Sequence, residues 1–154
     1  MAFYRSFGIS DYTAPLELNA GELQELNLED CELLIYGYIP VMLSAQCLEK
    51  NCVQCRKHPG FHILSDRMHK EFSVYNCCAY CYNIIYNPEP LALFGEAFKL
   101  KKLKARSFRL AFTKEDRGEM EQVLQICKDC FCSEEKPDAF ELSHTKGHFR
   151  RGIK

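Results

Sequence analysis

The chain has no apolar run long enough to form a membrane helix, which takes roughly 18 or more residues, and no segment comes near that length. Its start, MAFYRSFGISDY, lacks the basic-then-apolar pattern of a secretory leader. It contains no internal repeat and no low-complexity tract. H-E-x-x-H and G-x-S-x-G are missing, and so is a glycine-rich phosphate loop. These gaps exclude a membrane-spanning helix, argue against export, and leave no motif for zinc-peptidase, serine-hydrolase or phosphate-loop chemistry. The expectation is a cytoplasmic protein without a membrane partner.

What is present is an ordinary globular mixture: 154 residues, 47 % hydrophobic and 27 % charged, enough for one domain with a core. Charge is spread unevenly. Residues 1–35 hold seven acids and one base, whereas residues 97–114, AFKLKKLKARSFRLAFTK, hold seven bases and no acid. The tail KGHFRRGIK adds five cationic residues if His148 is counted. Such a distribution suits an anionic partner such as RNA, with Lys101, Lys102, Lys104, Arg106, Arg109, Arg150 and Arg151 as the candidate contacts; a solvated helix face is the alternative.

Periodicity supplies the elements. Residues 1–10 alternate loosely and read as a strand. In LELNAGELQEL, Asn19 and Glu22 stand at capping-box spacing, and Leu23 and Leu26 face a core. CELLIYGYIPVMLSA reads as one buried strand, bent at Gly37 and Pro40. GFHILSDRMHKEFSVY reads as a hairpin whose turn holds Asp66 and Arg67, with His62 and His69 on its faces. After Asn87-Pro88-Glu89-Pro90 a helix is expected from about Leu91 to Lys104. RSFRLAFT alternates as a strand, with Phe108, Leu110 and Phe112 on one face. Thr113 and Asp116 suggest a second capping box before a helix with Met120, Val123, Leu124, Cys127 and Phe131 on its apolar stripe. The residues after it look irregular. Strands that alternate with helices imply an α/β fold with parallel strands, too few for a closed barrel.

Ten cysteines demand a cause, and in an unexported chain clustered thiols point to metal or redox work rather than disulfides. Cys47, Cys52 and Cys55 follow C-x4-C-x2-C, a spacing known from plant-type iron–sulfur loops, with Cys77, Cys78 or Cys81 able to close the set. Cys52-x2-Cys55 and Cys78-x2-Cys81 also form two C-x2-C pairs, separated by 22 residues, which is near a zinc-ribbon spacing. Zinc leaves Cys47 unused, so iron is favoured over zinc. Cys31 and Cys127 read as small core residues, and Cys130 and Cys132 end a helix with no partner pair near in sequence. Tyr75, Tyr80, Tyr82 and Tyr86 crowd the second cluster and would either stack on a base or pack around the site. No constellation of catalytic residues stands out.

The segments LIYGYIPVMLSAQC, C-x2-C, GFHILSDRMHKEF, CYNIIYNPEPL, a β/α unit and HTKGHFRRGI occur in that order, preceded by APLELNAGEL. This series resembles the U-thirty-two family, the collagenase-like peptidases, from about Tyr12 to Lys154. The resemblance implies the C-terminal part of a TIM-type (β/α) barrel: late barrel strands and a helix in 1–46, a cysteine-rich metal-binding insert and hairpin in 47–87, and a β/α unit with a basic tail in 88–154. The rest of the barrel would come from a second polypeptide or be lost. It further implies an oxygen-sensitive four-iron, four-sulfur cluster on Cys47, Cys52, Cys55 and Cys81, with Cys77 and Cys78 as alternates, zinc being the other metal. Relatives with that cluster hydroxylate RNA bases or a quinone precursor without molecular oxygen, some tRNA-acting ones being linked to prephenate. The implied function is oxygen-independent hydroxylation of a tRNA or rRNA base. A peptidase acting on collagen-like protein and a non-catalytic zinc-stabilised binding module are the alternatives. The first cysteines stand closer together here than in other members.

Overall fold

The structure is a computed structural model that describes residues 2–52, 55, 57–132 and 142–152. It is a mixed α/β chain with two four-stranded sheets, and among the described residues neither closes into a barrel. The elements are α1 (Ala2–Arg5), β1 (Tyr12–Thr13), α2 (Ala20–Gln24), β2 (Cys31–Gly37), β3 (Pro40–Ser44), α3 (Leu48–Cys52), β4 (Gly60–Ser65), β5 (Glu71–Cys77), β6 (Tyr82–Tyr86), β7 (Leu91–Ala92), a 3₁₀ turn (Phe94–Glu96), α4 (Ala97–Lys102), β8 (Ser107–Ala111) and α5 (Arg117–Cys132). They group into two compact units, one of residues 1–37 and 91–154, the other of residues 38–90.

The first unit is built around β2. One edge of β2 pairs in parallel with β8; the other pairs in parallel with β1 at its start and antiparallel with β7 at its end. CELLIYG can serve as this central strand because it is apolar on both faces, and Leu33, Leu34, Ile35 and Tyr36 are all buried. Tyr36 stacks on Phe94 at 5.9 Å and meets Phe112 at 5.6 Å, and Leu100 and Val123 complete the buried set. Each such side chain contributes about 1.5–3 kcal/mol by leaving water. Gly37 ends β2 at φ +153, and a Cβ there would lie 2.7 Å from the carbonyl oxygen of Ala111 on β8.

Helix ends follow local chemistry. Asn19 caps α2 through its side chain while Glu22 reaches back to the Asn19 amide, the expected capping box. Leu23 is buried, but Leu26 lies past the helix and is 42 % exposed. The second box forms one turn later than expected: Asp116 accepts from the Glu119 amide and Glu119 from the Asp116 amide, both at 2.8 Å, so α5 starts at Arg117 and Thr113 has no part in it. On α5, Val123 and Cys130 are buried, whereas Leu124 is 51 % exposed.

Three further expectations are corrected. The start of the chain is helical over Ala2–Arg5, and Phe3 meets Phe7, just beyond the helix, edge-on at 5.1 Å. The Leu91–Lys104 helix begins late. Leu91 and Ala92 pair with β2 instead, and the Leu93 amide donates to the Ile35 carbonyl, so sheet pairing overrides helix propensity as far as Leu93, and a 3₁₀ turn leads into α4 at Ala97. The expected single strand over CELLIYGYIPVMLSA is two strands in two sheets, and in the second Val41, Met42 and Leu43 are exposed. Of the expected irregular tail, residues 133–141 lie outside the described residues.

The second unit is a fully antiparallel sheet in the order β3-β6-β5-β4, with α3 between β3 and β4 in sequence. The hairpin is in its expected place. Asp66 builds its turn by accepting from the amides of Met68 and Lys70, which fixes the carboxylate in a structural role. The described residues that are buried in this unit are Cys47, Ser73, Val74, Asn76, Asn83 and Pro90. Val74 and Pro90 are the apolar members without sulfur, which is little for a sheet to close on.

Candidate metal centre

The three cysteines of the second cluster sit where β5 turns into β6. Cys77 ends β5 opposite Tyr82, and residues 78–81 form the loop. Cys81 adopts φ +54, a left-handed conformation unusual for a side-chain-bearing residue, and so does Lys57 at φ +57. The first cluster approaches from β3. Ser44 pairs with Asn83 on β6, and the Asn83 side-chain amide donates to the Gln46 carbonyl at 2.7 Å. This ties the chain just before Cys47 to the hairpin. Cys47 itself is buried, and its thiol donates to Asn76 Oδ1 at 3.7 Å.

The result is an open hollow of about 790 Å³ lined by Cys47, Cys55, Cys77, Cys78 and Cys81, with Tyr75, Tyr80, Tyr82 and Lys57 among its walls. Five of the six candidate ligands therefore line one cavity. The sixth, Cys52, is placed by its backbone at the end of α3, and its side chain lies outside the described residues. The thiols interact electrostatically. The Cys78 thiol is pushed up by desolvation first, then by the Glu49 carboxylate and by Cys55, Cys47 and Cys81. Each ionised thiol opposes the next, which is the situation a bound cation relieves. Cys78 meanwhile donates to the His58 carbonyl at 3.0 Å. Among the described residues no three His, Cys, Asp or Glu side chains are grouped closely enough to hold a metal ion. The donor set, four or more thiols around a roomy hollow, fits a thiolate-ligated metal or iron–sulfur cluster, for which Cys47, Cys55, Cys81 and the α3 residue Cys52 would be the ligands.

The remaining thiols separate cleanly. Cys31 and Cys130 are buried in the first unit and Cys127 is half-buried there, and burial pushes all three thiols up, as for inert core cysteines. Of the histidines, His62 lies 3.5 Å from Glu49 on α3, and His69 occupies the hairpin turn at φ +60. Tyr75 packs on Phe61 at 5.0 Å, while Tyr80, stacked on Tyr82 at 6.3 Å, is 80 % exposed on the rim.

The basic candidates do not form one open stripe. Arg106 pairs with Asp11, Arg109 lies 3.3 Å from Glu32, and Arg150 donates twice to Glu96. Lys101 and Lys102 sit over the rings of Phe131 and Phe98, at 5.9 and 4.2 Å. Lys104 and Arg151 are exposed.

Sequence reasoning passed over three residues that organise the molecule. Asn76 and Asn83 are buried polar residues within strands, next to the last residue of β5 and the first of β6, where asparagine is disfavoured, and that mismatch was the available signal. Glu96 is the third. It is 4 % exposed and accepts from Lys99, Lys146 and Arg150, so it clasps the T-K-G-H-F segment, Thr145 to Phe149, onto the start of α4. The segment is held further by the pairing of Leu91 with Thr145 and by the burial of Phe149.

No family model matches this chain, and no curated protein or solved structure does. Among the described residues no helix is long and apolar enough to cross a membrane.

Proposed function

We propose that the chain is the C-terminal part of a U-thirty-two-type protein whose thiol hollow holds an iron–sulfur cluster, and that it acts in oxygen-independent hydroxylation of an RNA base. One observation carries this reading: five candidate cysteines from two sequence clusters line the same hollow, in a unit whose buried core is otherwise nearly devoid of apolar side chains. A domain of about fifty residues with so thin a core needs a staple, and a structural metal supplies one. Cys47, Cys52, Cys55 and Cys81 would be the ligands. Cys47 favours the cluster over zinc on paired C-x2-C motifs, because it is buried on the wall of the hollow and the zinc pairing leaves it idle.

The partial-barrel reading belongs with this proposal. In its support, β2 and β8 pair in parallel, and α4 precedes and α5 follows β8, as parallel strands and helices alternate in such a barrel; the antiparallel β7 departs from that pattern. When bound, the cluster would supply one-electron chemistry. The chain's own residues would anchor it through the hairpin loop, wall it with Tyr75 and Tyr82, and present the exposed Tyr80, stacked on Tyr82, to a planar base at the rim.

Anaerobic purification followed by iron, acid-labile sulfide and zinc analysis tests the reading. The expected result is about four iron and four sulfide per chain, with broad brown absorbance that bleaches in air. Stoichiometric zinc in a colourless protein overturns it in favour of a zinc-stabilised binding module.

A further inference from the structure

We propose that Asn76 is a positioning residue of this centre: in the metal-loaded protein its side-chain amide donates an N–H···S hydrogen bond to the thiolate of Cys47. The inference rests on the reading of Cys47 as a metal ligand. Asn76 sits on β5 immediately before Cys77 and is completely buried. With Cys47 protonated, the thiol donates to Asn76 Oδ1 at 3.7 Å, while the amino group Nδ2 is buried without a hydrogen-bond partner among the described residues. A thiol is a weak donor, and leaving a buried amino group unpaired to satisfy one is a poor arrangement.

A cysteine that ligates a metal does so as a thiolate, and this reverses the chemistry at that contact. A thiolate donates nothing, and a carbonyl oxygen facing it is repulsive. The two ends of an amide are nearly isosteric, so half a turn of the side chain places Nδ2 where Oδ1 stood, against the sulfur. The unmatched group then becomes a carbonyl oxygen, which tolerates burial better than an unpaired N–H. The residue is therefore poorly satisfied beside a thiol and better satisfied beside a thiolate. Asn83, the other buried asparagine of this sheet, cannot take its place, because its amino group already holds the Gln46 carbonyl at 2.7 Å. A hydrogen bond to a ligand sulfur fixes its orientation, strengthens the site and raises the potential of a redox cluster.

The test uses the whole chain and cadmium as an NMR-active thiolate metal. Cadmium-loaded protein is expected to show a proton–cadmium correlation through the hydrogen bond from an Asn76 side-chain amide proton. Asn76→Leu is expected to keep the fold and bind cadmium about 10- to 100-fold more weakly. Cadmium that binds through Cys47, as shown by its loss in Cys47→Ser, but gives no correlation to Asn76 overturns this inference and leaves the metal reading standing. No cadmium uptake, or uptake indifferent to Cys47→Ser, overturns the ligand reading itself and the inference with it. The correlation is read on unmutated protein, so a failure of Asn76→Leu to fold does not block the decision.

Discussion

Replacing Glu96 with glutamine should loosen the C-terminal clasp by an amount the structure lets one work out. Burial alone would raise the Glu96 carboxyl; hydrogen bonds from Lys99, Arg150 and Lys146 outweigh it and lower the pKa from 4.5 to about 2. That gap corresponds to roughly 3 kcal/mol, at about 1.4 kcal/mol per pH unit. Lys99 and Arg150 are each 57 % exposed, so solvent screening reduces the expected contribution to about 2 kcal/mol. The sign follows from the direction of the change. A carboxyl with a depressed folded pKa stabilises the fold in full above about 4.5, progressively less as pH falls towards about 2, and not at all below that. Urea unfolding at pH 7 and at pH 3 should therefore show the wild type losing stability on acidification. E96Q should begin about 2 kcal/mol lower at pH 7, equivalent to roughly 4–8 °C in melting temperature for a chain of this size, and fall less between the two pH values. An E96Q protein within about 0.5 kcal/mol of wild type at pH 7, or one with the wild-type acid profile, would refute the assignment of the clasp to this carboxylate.

Other consequences are equally direct. If the hollow holds an iron–sulfur cluster, Cys47→Ser should abolish bound iron and colour after anaerobic purification, whereas Cys127→Ser, altering a half-buried thiol of the first unit, should leave both unchanged. Gly37→Ala should destabilise the first unit by about 1–3 kcal/mol in a thermal melt, because the new Cβ would meet the Ala111 carbonyl at 2.7 Å and force β2 from β8. If tRNA binds through the basic residues, the cations already paired with carboxylates, Arg106, Arg109 and Arg150, should contribute little. The log–log slope of affinity against salt should then be nearer about −3, for Lys101, Lys102, Lys104 and Arg151, than about −5 for all seven. No binding at low salt would return these residues to the role of a solvated face.

Much of this molecule could be read from residue order, and the failures have a common cause. Apolar runs on either side of a polar turn located the hairpin, and alternation located the strand β8. The capping box at Asn19 was legible because it is a contact over three residues. What local patterns could not show were decisions made by distant partners. Leu91 and Ala92 are strand because β2 needs a neighbour, although the residues around them favour helix. The continuous apolar segment after Cys31 divides at Gly37 because Ala111 crowds that point, and this is a contact across more than seventy positions. At the candidate site, thiol spacing pointed to the cysteines that the fold brings to one hollow, but not to the buried asparagines that hold the two clusters together. Likewise, a basic run in sequence gave no sign that acids from the first third of the chain would pair with Arg106 and Arg109.

The place where residues 38–90 leave and rejoin the first unit makes them separable from its strands. Gly37, the last residue before it, and Leu91, the first after it, are direct cross-strand partners in an antiparallel pair. Residues 38–90 thus depart from and return to nearly the same spot, about 5 Å apart. A tight turn joining β2 to β7 would span that gap as well as the whole sulfur-bearing unit does. The thiol apparatus is in this sense a cassette, lodged in what would otherwise be a simple hairpin. Its contents could be exchanged, or the whole of it replaced by a turn, while the strands that carry it keep their partners.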